Sequence, residues 1–112
     1  MEKIYHVAPK NHTGDLISLF SQHGDDAYDI FAKRWPESSS LGQYHAHYVH
    51  CYPTLDDAVE HLTSHVGDGK IYEINVADLA DDYIKVEIDS LEFHHPMVMG
   101  EIPEEYLKEI AL

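Results

Sequence analysis

The spacing of apolar positions changes period several times along the chain. KIYHVA at 3–8 alternates and is rich in β-formers, which predicts a strand. Its period of two puts Ile4 and His6 on one face and Tyr5 and Val7 on the other. Leu16, Leu19 and Phe20 then fall at helical spacing after Asp15, with Gly24 as a stop, so a helix is expected over 15–23. Ala27, Ile30, Phe31 and Trp35 form a second helical stripe, closed by Pro36. PESSSLGQ at 36–43 reads as a loop.

YHAHYVHCY at 44–52 lacks Gly and Pro and is dense in β-formers, so a strand is expected there. Thr54 begins a helix, and Leu55, Val59, Leu62 and Val66 make its buried stripe. GDG at 67–69 turns the chain into a strand over 70–76, with Tyr72, Ile74 and Val76 on one face. Residues 83–88 alternate, with Ile84, Val86 and Ile88 facing in. FHHPMVM at 93–99 reads as another strand, which Pro96 marks as an edge or a bulge. Gly100 turns the chain, and Pro103 opens a short helix through EEYLKEI. With strands dominating the second half, the order predicts an α+β fold with a mostly antiparallel sheet.

Length changes this picture little: 112 residues suit one domain, 1–112, and one core. No apolar run reaches the roughly 20 residues of a membrane span, and MEKIYHVAPKN has no leader-like segment, so a cytoplasmic protein is expected. The single Cys51 excludes an internal disulfide and a multi-cysteine zinc site. Charge says more. Seven Lys and Arg stand against 21 Asp and Glu, a formal net charge of −14. Such a surface repels nucleic-acid backbones and acidic membranes, so neither is an expected partner. A protein partner with a basic surface is compatible with it.

Ten histidines raise the question of chemistry. His45 and His47 would share a strand face, and His61 and His65 lie one helical turn apart, a spacing that suits zinc. EHLTSH at 60–65 lacks the acid between histidines of a metalloprotease helix, and no specific metal site is expected. Cys51 in a strand reads as a small buried residue rather than a nucleophile. The scattered glycines form no phosphate-cradling loop. A polar cleft remains. Parity places Tyr44, Tyr48, His50 and Tyr52 on one side of their strand, where His6 and His95 approach if their strands are neighbours. Such a cluster can stack an aromatic ring and hydrogen-bond a ribose or phosphate.

Three local patterns carry a family likeness. IYHVA at 4–8, VHCYPTLDDAVEHL at 49–62 and MVMGEIPEEYL at 97–107 together resemble the ADP-ribosyltransferase-like fold. That group contains poly(ADP-ribose) polymerases, DNA-modifying toxins and tRNA 2′-phosphotransferases. The resemblance implies a split sheet around a cleft that binds NAD, or another ligand containing ADP-ribose. It implies His6 on the ribose, Tyr52 stacked on the nicotinamide, and His50 as the alternative residue of the second motif; Tyr44 joins them as a lining residue on the parity argument. Counting back from Ile102, His95 stands where the family's transferase glutamate is expected, with Glu92 and Glu101 out of register. His6, Tyr52 and His95 are thus the expected catalytic positions. The charge supports a second expectation: a non-enzymatic inhibitor, such as an antitoxin, an immunity protein or an antagonist of a defence complex, directed at a basic protein surface.

Overall fold

In the computed structural model, which describes residues 1–37, 42–89 and 95–112, eight short strands and five helices form an α+β fold. The strands are β1 (Lys3–Pro9), β2 (Leu16–Ile17), β3 (Tyr48–His50), β4 (Gly69–Asn75), β5 (Val86–Ile88), β6 (Pro96–Met99), β7 (Glu101–Ile102) and β8 (Lys108–Ile110). The helices are α1 (Leu19–His23), α2 (Asp26–Arg34), α3 (Gly42–His45), α4 (Leu55–His61) and α5 (Val76–Asp81). Every strand pair is antiparallel: β1-β4-β8 forms one sheet, β3-β6-β5 a second, and β2-β7 a two-stranded ribbon. One isolated bridge, Tyr5 to Tyr52, links the first sheet to the second. Among the described residues no helix is long and apolar enough to cross a membrane.

The alternation of β1 and β4 works as expected. Ile4, Ala8, Tyr72 and Ile74 enter the larger core with Val49, Cys51, Leu79, Val98 and Ile102, and Val76 packs on it. Tyr5, Val7 and Ile71 face the other way, onto Ala58 and Leu62. Thr54 caps α4, its hydroxyl accepting from the Asp57 amide at 3.1 Å. The helix then widens into a π turn at Leu62–Val66 and stops at Gly67, whose φ is 81°.

Three expected elements take another form, and 77–82, to which the sequence pattern assigns no element, adds a fourth difference. The helix over 15–23 is reduced to α1, capped by Ser18 rather than Asp15. Leu16 and Ile17 pair with Ile102 and Glu101, and the Asp15 carboxylate caps the Glu104 amide at 2.8 Å. The strand over 44–52 shrinks to β3, because 42–45 coils into α3 and a turn. ADLADD is a helix, with Asn75 accepting from the Ala77 amide. KEI at 108–110 leaves the expected helix to pair with β4, so only Glu104–Tyr106 winds, as a 3-10 turn. Pro96 sits on β6, the central strand of its sheet; at the first residue its missing N–H breaks no ladder there. Ile88, expected to face in, is exposed, while Ile84 and Val86 pack on the core. The first two residues of the strand expected over 93–99, and Glu92, lie outside the described residues.

Candidate functional site

The two sheets part where β1 and β3 separate. Tyr5 and Tyr52 exchange both backbone bonds, at 2.9 and 2.6 Å. The ladder then ends. A continued ladder would offer the His50 carbonyl to the next backbone amide; here it accepts from His6 Nδ1 at 2.7 Å. A side chain therefore closes the gap that the diverging backbones leave.

That bond settles the state of His6. Nδ1 faces a carbonyl, so it carries the hydrogen, and the neutral ring keeps its lone pair at Nε2. Desolvation lowers its pKa to about 4, so the ring is neutral at pH 7.

His50 begins a second chain of contacts. Its Nε2 donates to the His45 carbonyl at 2.8 Å. Desolvation lowers its pKa to about 4, so Nδ1 holds a lone pair, and it accepts from His95 Nε2 at 2.7 Å. His95 is likewise lowered by desolvation. Behind them His45 Nε2 donates to the Asp89 carboxylate at 3.0 Å, with both side chains fully buried. The Asp89 amide donates to the His95 carbonyl at 2.9 Å. His45 on α3, His50 on β3, and Asp89 and His95 flanking β5 and β6 thus fix each other's orientation.

The expected site residues are distributed as follows. His50 and His95 are in contact, and His6 joins them through the His50 carbonyl. Tyr52 packs with Tyr5 and Val7 on the α4 side, its ring 5.2 Å from His61. His6, by the pleat, shares its face with Ile4 and Ala8, so His6 and Tyr52 flank the junction from opposite sides. Tyr44 belongs to α3, yet its ring reaches Tyr48 at 5.2 Å. The Tyr52 phenol is pushed up to about 12, first by desolvation, and stays protonated. Burial pushes the Cys51 thiol up, which leaves it inert as a nucleophile. His45 and His47 do not share a strand face: His45 meets Asp89, and His47 Nε2 lies 3.0 Å from the Tyr28 hydroxyl. Among the described residues, no three His, Cys, Asp or Glu are grouped to hold a metal ion.

Two groups escaped the sequence reading. Asp89 follows an alternating apolar run and lies 44 residues from His45, so no local spacing marks it. His12 is the second. Its Nε2 donates to the Asp15 carbonyl at 3.1 Å, and its Nδ1 lies 2.9 Å from the Tyr72 hydroxyl. Tyr72 pairs with His6 across β1 and β4, so His12 flanks the same face. A cavity of about 260 Å³ opens there, lined by His12, Thr13, Gly14, Tyr72, Glu104 and Leu107.

Comparison with protein-family models, with curated proteins and with solved structures finds no match to this chain.

Proposed function

We propose that this chain is a binding domain of the ADP-ribosyltransferase-like kind, with NAD or an ADP-ribose-containing ligand seated where β1 and β3 part. The observation that carries the reading is the His6 to His50 carbonyl bond at the break in the sheet. It holds a neutral imidazole with an acceptor nitrogen, and a ribose hydroxyl is the matching donor. Tyr52, to which the resemblance assigns the nicotinamide, packs beside His61 on the opposite side of the junction, so the reading rests on the His6 side alone.

Binding rather than transfer is the reading the side chains support. Departure of nicotinamide builds positive charge on the ribose, and a carboxylate facing it stabilises that charge. His95 takes the position where the resemblance expects this carboxylate, and it is bonded to His50. Asp89 is nearby but is held by His45. A neutral imidazole gives an oxocarbenium-like ribose no countercharge.

Thermal denaturation with added ligand tests the proposal. NAD or ADP-ribose at a hundredfold excess over Kd stabilises the native state by about 2.7 kcal/mol, a shift of several degrees in Tm. His6→Gln keeps an amide donor for the His50 carbonyl and removes the imidazole acceptor, so it abolishes the shift. An unchanged Tm of the wild-type chain at millimolar NAD and ADP-ribose would falsify the reading.

A further inference from the structure

His12 and His50 each engage both ring nitrogens in hydrogen bonds. His6 engages Nδ1, and His47 engages Nε2. The end of α4 differs. Among the described residues, the ring nitrogens of His61 and His65 make no hydrogen bond, yet the two rings stand together. Their centroids are 5.2 Å apart and their planes are inclined by 44°. His65 is exposed and His61 half-buried, so solvent reaches the pair.

The local fold holds the two rings on one face. Winding passes from α to π after His61, and the Gly67 amide closes the π turn on the Leu62 carbonyl at 2.7 Å. Leu62, between the histidines, is buried with Ala58 and Ile71 and anchors that turn in the core. The Tyr52 ring packs on His61 at 5.2 Å and braces it.

Two histidines four residues apart on one helical face are a bidentate ligand set for zinc. The separation is the more specific observation. Two imidazoles on one tetrahedral ion, each with a Zn–N bond of about 2.0–2.1 Å, place their centroids about 5.2 Å apart. His61 and His65 already stand at that separation, so chelation asks for ring rotation and little backbone movement. A metal ion also needs the neutral imidazole. Desolvation, and then the neighbouring His65, lower the His61 pKa, so its ring is neutral at pH 7. The net charge of −14 raises the cation concentration around the whole surface.

We propose that His61 and His65 chelate one divalent transition-metal ion of the kind that prefers imidazole: Zn²⁺, Cu²⁺ or Ni²⁺. Both ligands are nitrogens, so Mg²⁺ and Ca²⁺, which take oxygen ligands, are not held. Among the described residues no third His, Cys, Asp or Glu joins the pair, so the ion keeps coordination positions open to solvent, unlike a closed structural zinc. The site shares the Tyr52 side of the sheet junction and does not depend on what His6 binds.

The test titrates Zn²⁺ into the intact chain, with Mg²⁺ as control. Binding is read by calorimetry, and its place by the histidine ring resonances of isotope-labelled protein. Wild type binds one Zn²⁺ per chain and no Mg²⁺, and the rings of His61 and His65 shift together. His65→Gln removes one of the two ligands and weakens binding about tenfold or more. Because His65 is exposed, that variant melts as wild type does without metal, so lost binding is not lost folding. His23→Gln, at an exposed histidine ending α1, binds as wild type does. Failure of the wild type to bind Zn²⁺ would overturn the proposal. So would equal affinity of wild type and His65→Gln, or ring shifts confined to other histidines. An equal loss in His23→Gln would show diffuse attraction to the acidic surface and overturn it too.

Discussion

At the scale of single residues, the His6–His50–His95 chain is built for neutral rings. Each ring has one donor and one acceptor, and the carbonyls of His50 and His45 set the tautomers of His6 and His50. Protonating His50 would turn Nδ1 into a donor facing the donor of His95. The pH dependence follows from the direction of the shifts. Folded pKa values near 4 for His6 and His50 lie below the unfolded value near 6.5. As pH falls below 6.5 the unfolded chain takes up protons that these folded rings refuse. Stability is therefore fully present above pH 6.5, declines down to about 4, and levels off below. Each such histidine contributes a slope of up to about 1.4 kcal/mol per pH unit in that window. Urea denaturation at stepped pH checks this: His50→Gln should be less stable than wild type at pH 7, and the difference should narrow toward pH 4. A constant difference would show that His50 does not titrate with folding. The approach of His6 and His95 to His50 was legible in sequence, but the bonds that join them were not. Strand parity put Tyr44, Tyr48, His50 and Tyr52 on one side of a strand; Tyr44 instead belongs to α3, while Val49 and Cys51 enter the larger core and Tyr52 packs toward α4, a separation that local alternation accounts for. The buried Asp89–His45 pair has no local cause.

At the scale of elements, patterns that depend on near neighbours survive and those that depend on distant partners do not. The cap at Thr54, the Ala27–Phe31 part of the α2 stripe and the faces of β4 need only spacing, and all appear; Trp35, expected on the same stripe, falls just past the helix and is exposed. Leu16 fits a helical stripe with Leu19 and Phe20 equally well, yet it pairs with Ile102 in β2-β7. KEI likewise continues a helical pattern after Pro103, until β4 offers it an open edge. In both cases a partner far along the chain outweighs a weak local preference. Gly69 shows how tightly such a junction closes. It pairs with Pro9 at the start of β4, under the π turn. A Cβ there would lie 2.7 Å from the Ala8 carbonyl oxygen and 2.8 Å from Leu62 Cδ1. Side chains can rotate away, but the Ala8 carbonyl belongs to the β1 backbone. Gly69→Ala should therefore destabilise the chain by about 1–3 kcal/mol, read as a lower urea midpoint at unchanged m-value. A variant as stable as wild type would mean that the π turn and β1 move apart freely.

At the scale of the whole molecule, 21 acids against seven bases on a body about 32 × 32 × 26 Å make self-repulsion a global cost. The described lysine pairs, Lys3–Glu73, Lys10–Asp68 and Lys70–Glu109, are at least partly exposed, and solvent screening leaves such pairs little net stabilisation. Salt weakens attraction and repulsion alike, so the sign of its effect reports which dominates. At about 0.01 M salt the Debye length is about 30 Å, comparable to the molecule, and every carboxylate senses most of the others. At about 0.15 M it is about 8 Å, and only neighbours interact. With a net charge of −14 the repulsive sum is the larger, so Tm at neutral pH should rise between these salt concentrations. Screening also predicts the form of the rise. It should saturate near physiological ionic strength and be the same for chloride and fluoride salts of one cation, whereas preferential exclusion would keep growing and depend on the anion. A Tm that falls with salt would show that the lysine pairs, few as they are, outweigh the acidic surface. In that case the attraction for a basic partner would be weaker than the formal charge implies.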